Sequence, residues 1–339
     1  MNKSRLAAIF LTAIFSSFLL VSGTMAHAPL GSSDNESLAT ATVIPNPTKS
    51  WAIYAELHEG GEAQYYNFNI EAGQKIHVML FKSTRSEESE FLPRFILMGP
   101  GISEQGNVPD YVETPADAKA FVVEGKRSGK ATYEPFSPGS FYSLGEVNIN
   151  APSSGTYYVA VYEPSTGGHY GLAVGDRETY TLDEWILIPF SLLSIYQWEG
   201  QSLALIFAPM IITLATGIGL IIWKRKYRGT IMAWLGILAG LLFISTGAIT
   251  LLQMVFSSIG TVLGPEIVLT LVFALVPILL GIATLRLSLR IEEKAGFKKR
   301  TYLAVLGIVA LIMWAGLIIG PVLAILASIM PSRSKKQSS

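Results

Sequence analysis

The chain has 339 residues, half of them hydrophobic, with 25 Lys+Arg against 25 Asp+Glu and no cysteine. The absence of cysteine excludes disulfides, a lipobox anchor, thiolate-ligated copper or zinc, iron–sulfur clusters and covalent haem. The zero net charge is a cancellation: residues 27–182 carry 10 Lys+Arg against 19 Asp+Glu, and residues 183–339 carry 13 against 6.

Residues 1–26 read as a secretory signal. Lys3 and Arg5 form a basic start, Leu6 to Val21 supply the apolar stretch, and Thr24 and Ala26 occupy the −3 and −1 positions of a cleavage site. Cleavage after Ala26 makes His27 the first mature residue, whereas cleavage after Ala28 would place Pro29 at +1. The chain that follows begins outside the cytoplasm.

Residues 27–182 read as an exported β-sandwich, antiparallel and jelly-roll-like. Side chains alternate in short runs bounded by turn residues. Tyr66, Phe68 and Ile70 share one face of Ala63–Ile70, and Ile76, Val78 and Leu80 share one face of Gln74–Lys82. Tyr157, Val159 and Val161 do the same in Thr156–Glu163, as do Tyr170, Leu172 and Val174 in His169–Gly175. Trp51–Leu57, Arg94–Met98, Ala120–Val123 and Leu144–Ile149 bring the expected strands to about eight.

The stretches DNESLATAT (34–42), EAQYYNFNIEAGQKIHVML (62–80) and APSSGTYYVAVYEPSTGGHYGLAVG (151–175) resemble the bacterial pre-peptidase C-terminal domain. That resemblance covers roughly residues 34–83 and 151–175, and it implies a sandwich used as an accessory binding module. The family's acid directly before the Tyr-Tyr pair is missing, with Ala63–Gln64 in its place and Glu62 further upstream. Residues 84–150 do not fit and read as an insertion. Its Pro- and Gly-rich runs LMGPGI (97–102) and YEPFSPGSFY (133–142) suggest ordered loops, and Tyr133, Glu134, Phe136, Phe141 and Tyr142 are candidate ligand or partner contacts. The alternative is that these rings cap the core.

All four histidines, His27, His58, His77 and His169, lie in this half. An N-terminal His27 offers its α-amine and an imidazole to one metal, and in this it resembles copper histidine-brace proteins; His77, His58 or His169 would add a ligand. Copper is therefore a candidate cofactor, although H-x-H and H-E-x-x-H spacings are absent. Calcium is a second candidate, through Asp34, Glu36, Glu59, Glu62 and Glu163, without EF-hand spacing. The acidic balance disfavours nucleic acid.

Residues 183–200 (DEWILIPFSLLSIYQWEG) read as an interfacial collar, with Trp185, Tyr196 and Trp198 suited to the headgroup region. Residues 201–331 read as four transmembrane helices, over about 202–223, 229–256, 266–287 and 302–330. Lys224, Arg225, Lys226 and Arg228 follow the first; Arg286, Arg290, Lys294, Lys298, Lys299 and Arg300 follow the third. The positive-inside rule makes both connections cytoplasmic in a multi-pass cell-membrane protein. After four spans the tail at 332–339, with Arg333, Lys335 and Lys336, would lie outside, against that bias; Gly320–Pro321 allow the last segment to bend or re-enter.

No acid, base or histidine lies deep in these spans, which argues against an ion pathway. Gly236–Gly240 and Gly316–Gly320 allow close helix approach, within the bundle or to a membrane-complex partner. No nucleophile elbow, Walker loop or dinucleotide fingerprint is present. The sequence favours a membrane-anchored exported binding module, contacting lipids and a partner complex, over an enzyme. A copper-binding or copper-dependent protein is the alternative, and a transporter-associated subunit is the second.

Overall fold

The structure, a computed structural model, describes residues 28–31, 34–116, 118–127, 129–225, 230–291 and 296–330. The expected signal, His27, Lys294 and the basic tail lie outside the described residues.

Twelve strands form two mixed sheets. They are β1 (Ala28–Pro29), β2 (Thr42–Val43), β3 (Trp51–Leu57), β4 (Ala63–Ile70), β5 (Lys75–Ser83), β6 (Arg94–Gly99), β7 (Lys119–Val123), β8 (Ala131–Glu134), β9 (Gly139–Asn150), β10 (Gly155–Tyr162), β11 (Gly168–Val174) and β12 (Thr261–Val262). One sheet runs β1-β3-β11-β5-β9-β8-β12 and the other β2-β4-β10-β6-β7. The expectation of a wholly antiparallel fold is corrected at the edges. There β1 joins β3, β2 joins β4 and β12 joins β8 in parallel, each through a two-residue strand. Short strands of this kind come from neighbouring loops and cover edges that would otherwise be open.

The four alternating faces seen in the sequence meet in one core. Tyr66, Phe68, Ile76, Val78, Leu80, Tyr157, Val159, Tyr170 and Leu172 are all buried there, contributed by both sheets. The period-two pattern works because each strand buries only one face in this core. The Tyr66 hydroxyl lies 2.6 Å from that of Tyr170, which donates to Gln64 Oε1 at 2.7 Å. Gln64 thus satisfies a buried phenol at the position next to the Tyr-Tyr pair.

The run 133–142 is a second correction. It is not a set of loops but the hairpin of β8 and β9, with Glu134 opposite Gly139 in register and Pro135–Pro138 as its turn. Proline and glycine cluster at that turn and leave the flanking strands intact.

Among the described residues six α-helices follow: α1 (Leu182–Trp198), α2 (Leu203–Arg225), α3 (Ile231–Ser258), α4 (Ile267–Ser288), α5 (Phe297–Ile312) and α6 (Ile319–Ile329). Three of them, α2, α3 and α4, are long and apolar enough to cross a membrane. A fourth span over 302–330 is not a single helix. The backbone reverses between α5 and α6, where Trp314, Gly316, Leu317 and Ile318 all have positive φ, 49° to 80°. Arg300 Nη1 reaches Ser328 O at 3.4 Å, so the start of α5 lies beside the end of α6. A Cβ on Gly307 would sit 2.9 Å from Ile325 and 3.2 Å from Ala324, which accounts for glycine at this close approach. The segment is an antiparallel helical hairpin.

The glycine pairs serve packing inside the chain. Gly240 and Gly281 approach each other's backbone between α3 and α4, Gly236 faces Ser288, and Gly316 and Gly320 lie against Phe243. Gln253, fully buried, forms a reciprocal amide pair with Gln201 at 2.7 and 2.8 Å. Each buried amide is satisfied by the other.

Candidate functional site

The described histidines stand apart from one another. His77, buried in β5, places Nε2 2.9 Å from Glu146 and Nδ1 3.3 Å from Gly175 O. His169 Nδ1 lies 2.6 Å from Glu88, with its other nitrogen 3.5 Å from Glu56. His58 is exposed and 3.5 Å from Glu62. Each ring is matched to a glutamate at a separate place, and among the described residues no group of three or more His, Asp or Glu side chains could hold a metal. Ala28, which follows His27, is separated from Val78 by β3 and β11, a distance of roughly 14 Å at the usual strand spacing. Of the calcium candidates, Glu163 Oε2 accepts the Ser165 and Thr166 amides at 2.6 and 2.5 Å, and Glu62 Oε2 accepts the His58 amide at 2.5 Å. These carboxylates fix turns.

The hairpin β8–β9 and the collar build a different site, where the sandwich meets the helices. Tyr133, 3% exposed, places its hydroxyl 2.8 Å from Thr270 Oγ1, which donates to Pro135 O at 2.7 Å. Phe136 stands edge-on to Phe273 and Trp314, both with ring centroids 5.6 Å away. Trp314 in turn packs on Trp185. β12, between α3 and α4, adds a strand to β8. Sequence-distant parts of the helical half therefore grip one hairpin of the sandwich.

α1 seals the other side. Thr181 caps its start and Glu184 completes a capping box, while Lys49 bridges to Glu184 at 2.5 Å. Trp198 is buried against Met79, Phe81 and Ala173, and its indole N–H donates to Ala55 O and Tyr170 O, both at 3.2 Å. Tyr196 is buried as well. The collar thus turns these two rings towards protein, and its exposed side is Leu182, Ile186, Leu187 and Phe190.

Between α1, the outer face of the first sheet and the hairpin turn lies a narrow cleft of about 60 Å³. Tyr54, Phe81, Phe141 and Trp198 line it, with neighbouring ring centroids 5.1 to 5.9 Å apart. Glu134 and Glu199 also line it. Glu199 Oε1 accepts the Ser140 amide at 3.1 Å and would lie 2.7 Å from a Cβ on Gly139, the register partner of Glu134. Both carboxyls thus sit at the turn end of the hairpin, Glu134 Oε1 accepting the Phe136 amide at 3.0 Å. Burial pushes the Glu134 carboxyl up to about 7, against the lowering effect of the Phe136 and Ser137 amides. Burial likewise pushes Glu199 up to about 8, opposed by Ser140, Gln201 and Arg85. A narrow apolar pocket of about 60 Å³ adjoins this cleft, lined among others by Ile249, Phe273 and Leu317.

Four of the five hairpin candidates from the sequence, Tyr133, Glu134, Phe136 and Phe141, come together at this junction. Tyr142 is engaged elsewhere, with the Arg127 guanidinium 3.9 Å over its ring and 2.6 Å from its hydroxyl. Glu199, Tyr54, Phe81 and Trp314 were not legible as site residues. An acid closing an otherwise apolar collar was the one available signal for Glu199. No protein-family model matches the chain, and comparison with curated proteins finds no match. The pre-peptidase and histidine-brace resemblances accordingly rest on the residues quoted for them.

Proposed function

We propose that this is a membrane-anchored binding protein with its sandwich outside the cytoplasm, and that it takes its ligand at the junction between sandwich and helices. The observation that carries this reading is the junction cleft, concave, aromatic and lined by two carboxylates. Concave sites with a mostly apolar lining and a few placed polar groups are the usual form of a small-molecule site. The exposed apolar side of α1 supports a collar lying at the outer membrane surface, where an amphipathic helix buries that side among headgroups.

The same reading orders the charges. With α2, α3 and α4 as three crossings and α5–α6 as a re-entrant hairpin, every basic cluster from Lys224 onward falls on the cytoplasmic side. That arrangement satisfies the positive-inside rule without exception. It puts the basic tail inside, where four full spans would put it outside.

The chain has no cysteine, so single thiols test the reading directly. Cysteines at Ser165 in the sandwich and at Ser191 in the cleft should react with a membrane-impermeant maleimide in intact cells. A Ser191 thiol that stays unreactive while the one at Ser165 reacts would overturn the proposed site.

A further inference from the structure

The cleft and the apolar pocket lie side by side, with Phe136, Ile188 and Leu192 lining both. The two neighbours differ chemically. The sheet end carries four aromatic rings and two carboxylates, and no Lys, Arg or His lines it. The helix end is aliphatic and aromatic, with Thr246, Thr250 and Tyr196 as its polar members.

The chemistry of each end narrows the ligand. Aromatic faces beside carboxylates attract organic cations, most strongly where water is excluded. A phosphate or carboxylate head would meet two acids and no basic residue in the lining. A neutral sugar head would need several directed donors and acceptors, and beyond Tyr54 and the two acids the lining offers Ser137, Ser140 and Ser191. The apolar end has no group to orient a polar ligand, but it accommodates hydrocarbon. Burial favours the neutral form of both carboxyls, and a cation at this end would favour the charged form.

We propose that the junction binds an amphiphile with an organic ammonium head and an apolar tail. The head lies among Tyr54, Phe81, Phe141 and Trp198 beside Glu134 and Glu199. The tail passes Ile188 and Leu192 into the pocket over Ile249 and Phe273. This inference rests on the reading of the junction as the ligand-binding face and gives that site its substrate class.

The test uses the full chain in lipid nanodiscs, with decyltrimethylammonium below its micellar concentration as the probe and decyl maltoside as the uncharged control. Isothermal titration calorimetry should show one saturable site for the cation beyond the heat of empty nanodiscs. The double variant Glu134→Gln with Glu199→Gln should weaken that binding at least tenfold, and Phe141→Leu, which keeps both charges, at least threefold. The probe should also slow labelling of a Ser191 thiol. Heat equal to that of empty nanodiscs would overturn the inference. So would control binding as tight as that of the cation, or affinity unchanged in both variants. A Ser191 thiol that labels from outside without protection by the probe sinks the ammonium class and leaves the junction reading standing. One that never labels sinks the junction itself.

Discussion

The Trp314 indole nitrogen donates to the backbone carbonyl of Trp185 at 2.8 Å, and the two rings stand 4.2 Å apart. Through this pair the tip of the α5–α6 hairpin is tied to the collar. Phe136 and Phe273 complete the cluster, so one ring touches the sandwich and another the α4 helix. The positive φ at Trp314 and at β-branched Ile318 is a conformation such residues seldom adopt, and these contacts compensate it.

Trp314→Ala should therefore cost about 3–5 kcal/mol, the usual loss for emptying a large aromatic site. Trp314→Phe should cost about 1–3 kcal/mol, because the rings remain while the Trp185 carbonyl loses its donor. Thermal unfolding in a mild non-ionic detergent measures both. Equal losses would show that the hydrogen bond, not the ring cluster, dominates.

Gly139→Ala places a methyl 2.7 Å from Glu199 Oε1 and 3.0 Å from Ser137 O. The carboxylate must move and its bond to the Ser140 amide must lengthen. The expected cost is about 1–3 kcal/mol. Combined with Glu199→Ala, which empties that space, the glycine change should cost much less. A double-mutant cycle reads this coupling.

The two cleft carboxyls give stability a definite pH dependence. Their folded-state values, about 7 for Glu134 and about 8 for Glu199, lie above the ordinary glutamate value of 4.5. Between that value and theirs, the folded state holds protons that the unfolded chain has released. Their contribution is complete below about pH 4.5 and is lost as pH rises through 7 to 8. The steepest loss is about 1.4 kcal/mol per pH unit for each group. Arg85 beside Glu199 lowers its value and so reduces the effect, whereas Glu178 raises that of Glu134. Unfolding followed from pH 5 to 9 should show falling stability, and Glu199→Gln should flatten the curve. A wild-type profile that rises across this range would contradict the burial of these groups.

The proposed re-entrant placement of the α5–α6 hairpin makes a topological prediction. Thiols at Ser258, Lys298 and Ser338 should separate by side, with Ser258 labelled in intact cells and the other two labelled only after permeabilisation. Labelling of Ser338 from outside would favour a fourth complete crossing.

Much of the sandwich was legible because one face of each main strand enters a common core, so Tyr66, Phe68 and Ile70, for example, announce their side by spacing alone. The β8–β9 hairpin was not, because its turn concentrates Pro135, Pro138 and Gly139 and masks the alternation beside it. The bend near Gly320–Pro321 was visible, but the reversal depends on backbone angles at Trp314, Leu317 and Ile318 that composition does not encode. The junction was hidden for another reason. Tyr54, Glu134 and Glu199 lie far apart in the chain, and only the docking of the sandwich on the helices brings them together.

That docking is the claim on which the rest depends, and one measurement addresses it most directly. Val262 of β12 pairs with Thr132 of β8 in register, a spacing that suits a disulfide. In this thiol-free chain, Thr132→Cys with Val262→Cys should form an intramolecular bond under mild oxidation. After proteolysis between residues 176 and 203, the sandwich and helical fragments should remain joined on a non-reducing gel and separate on reduction. Fragments that separate without reductant, with both thiols still open to maleimide, would show that the sandwich does not sit on the helices.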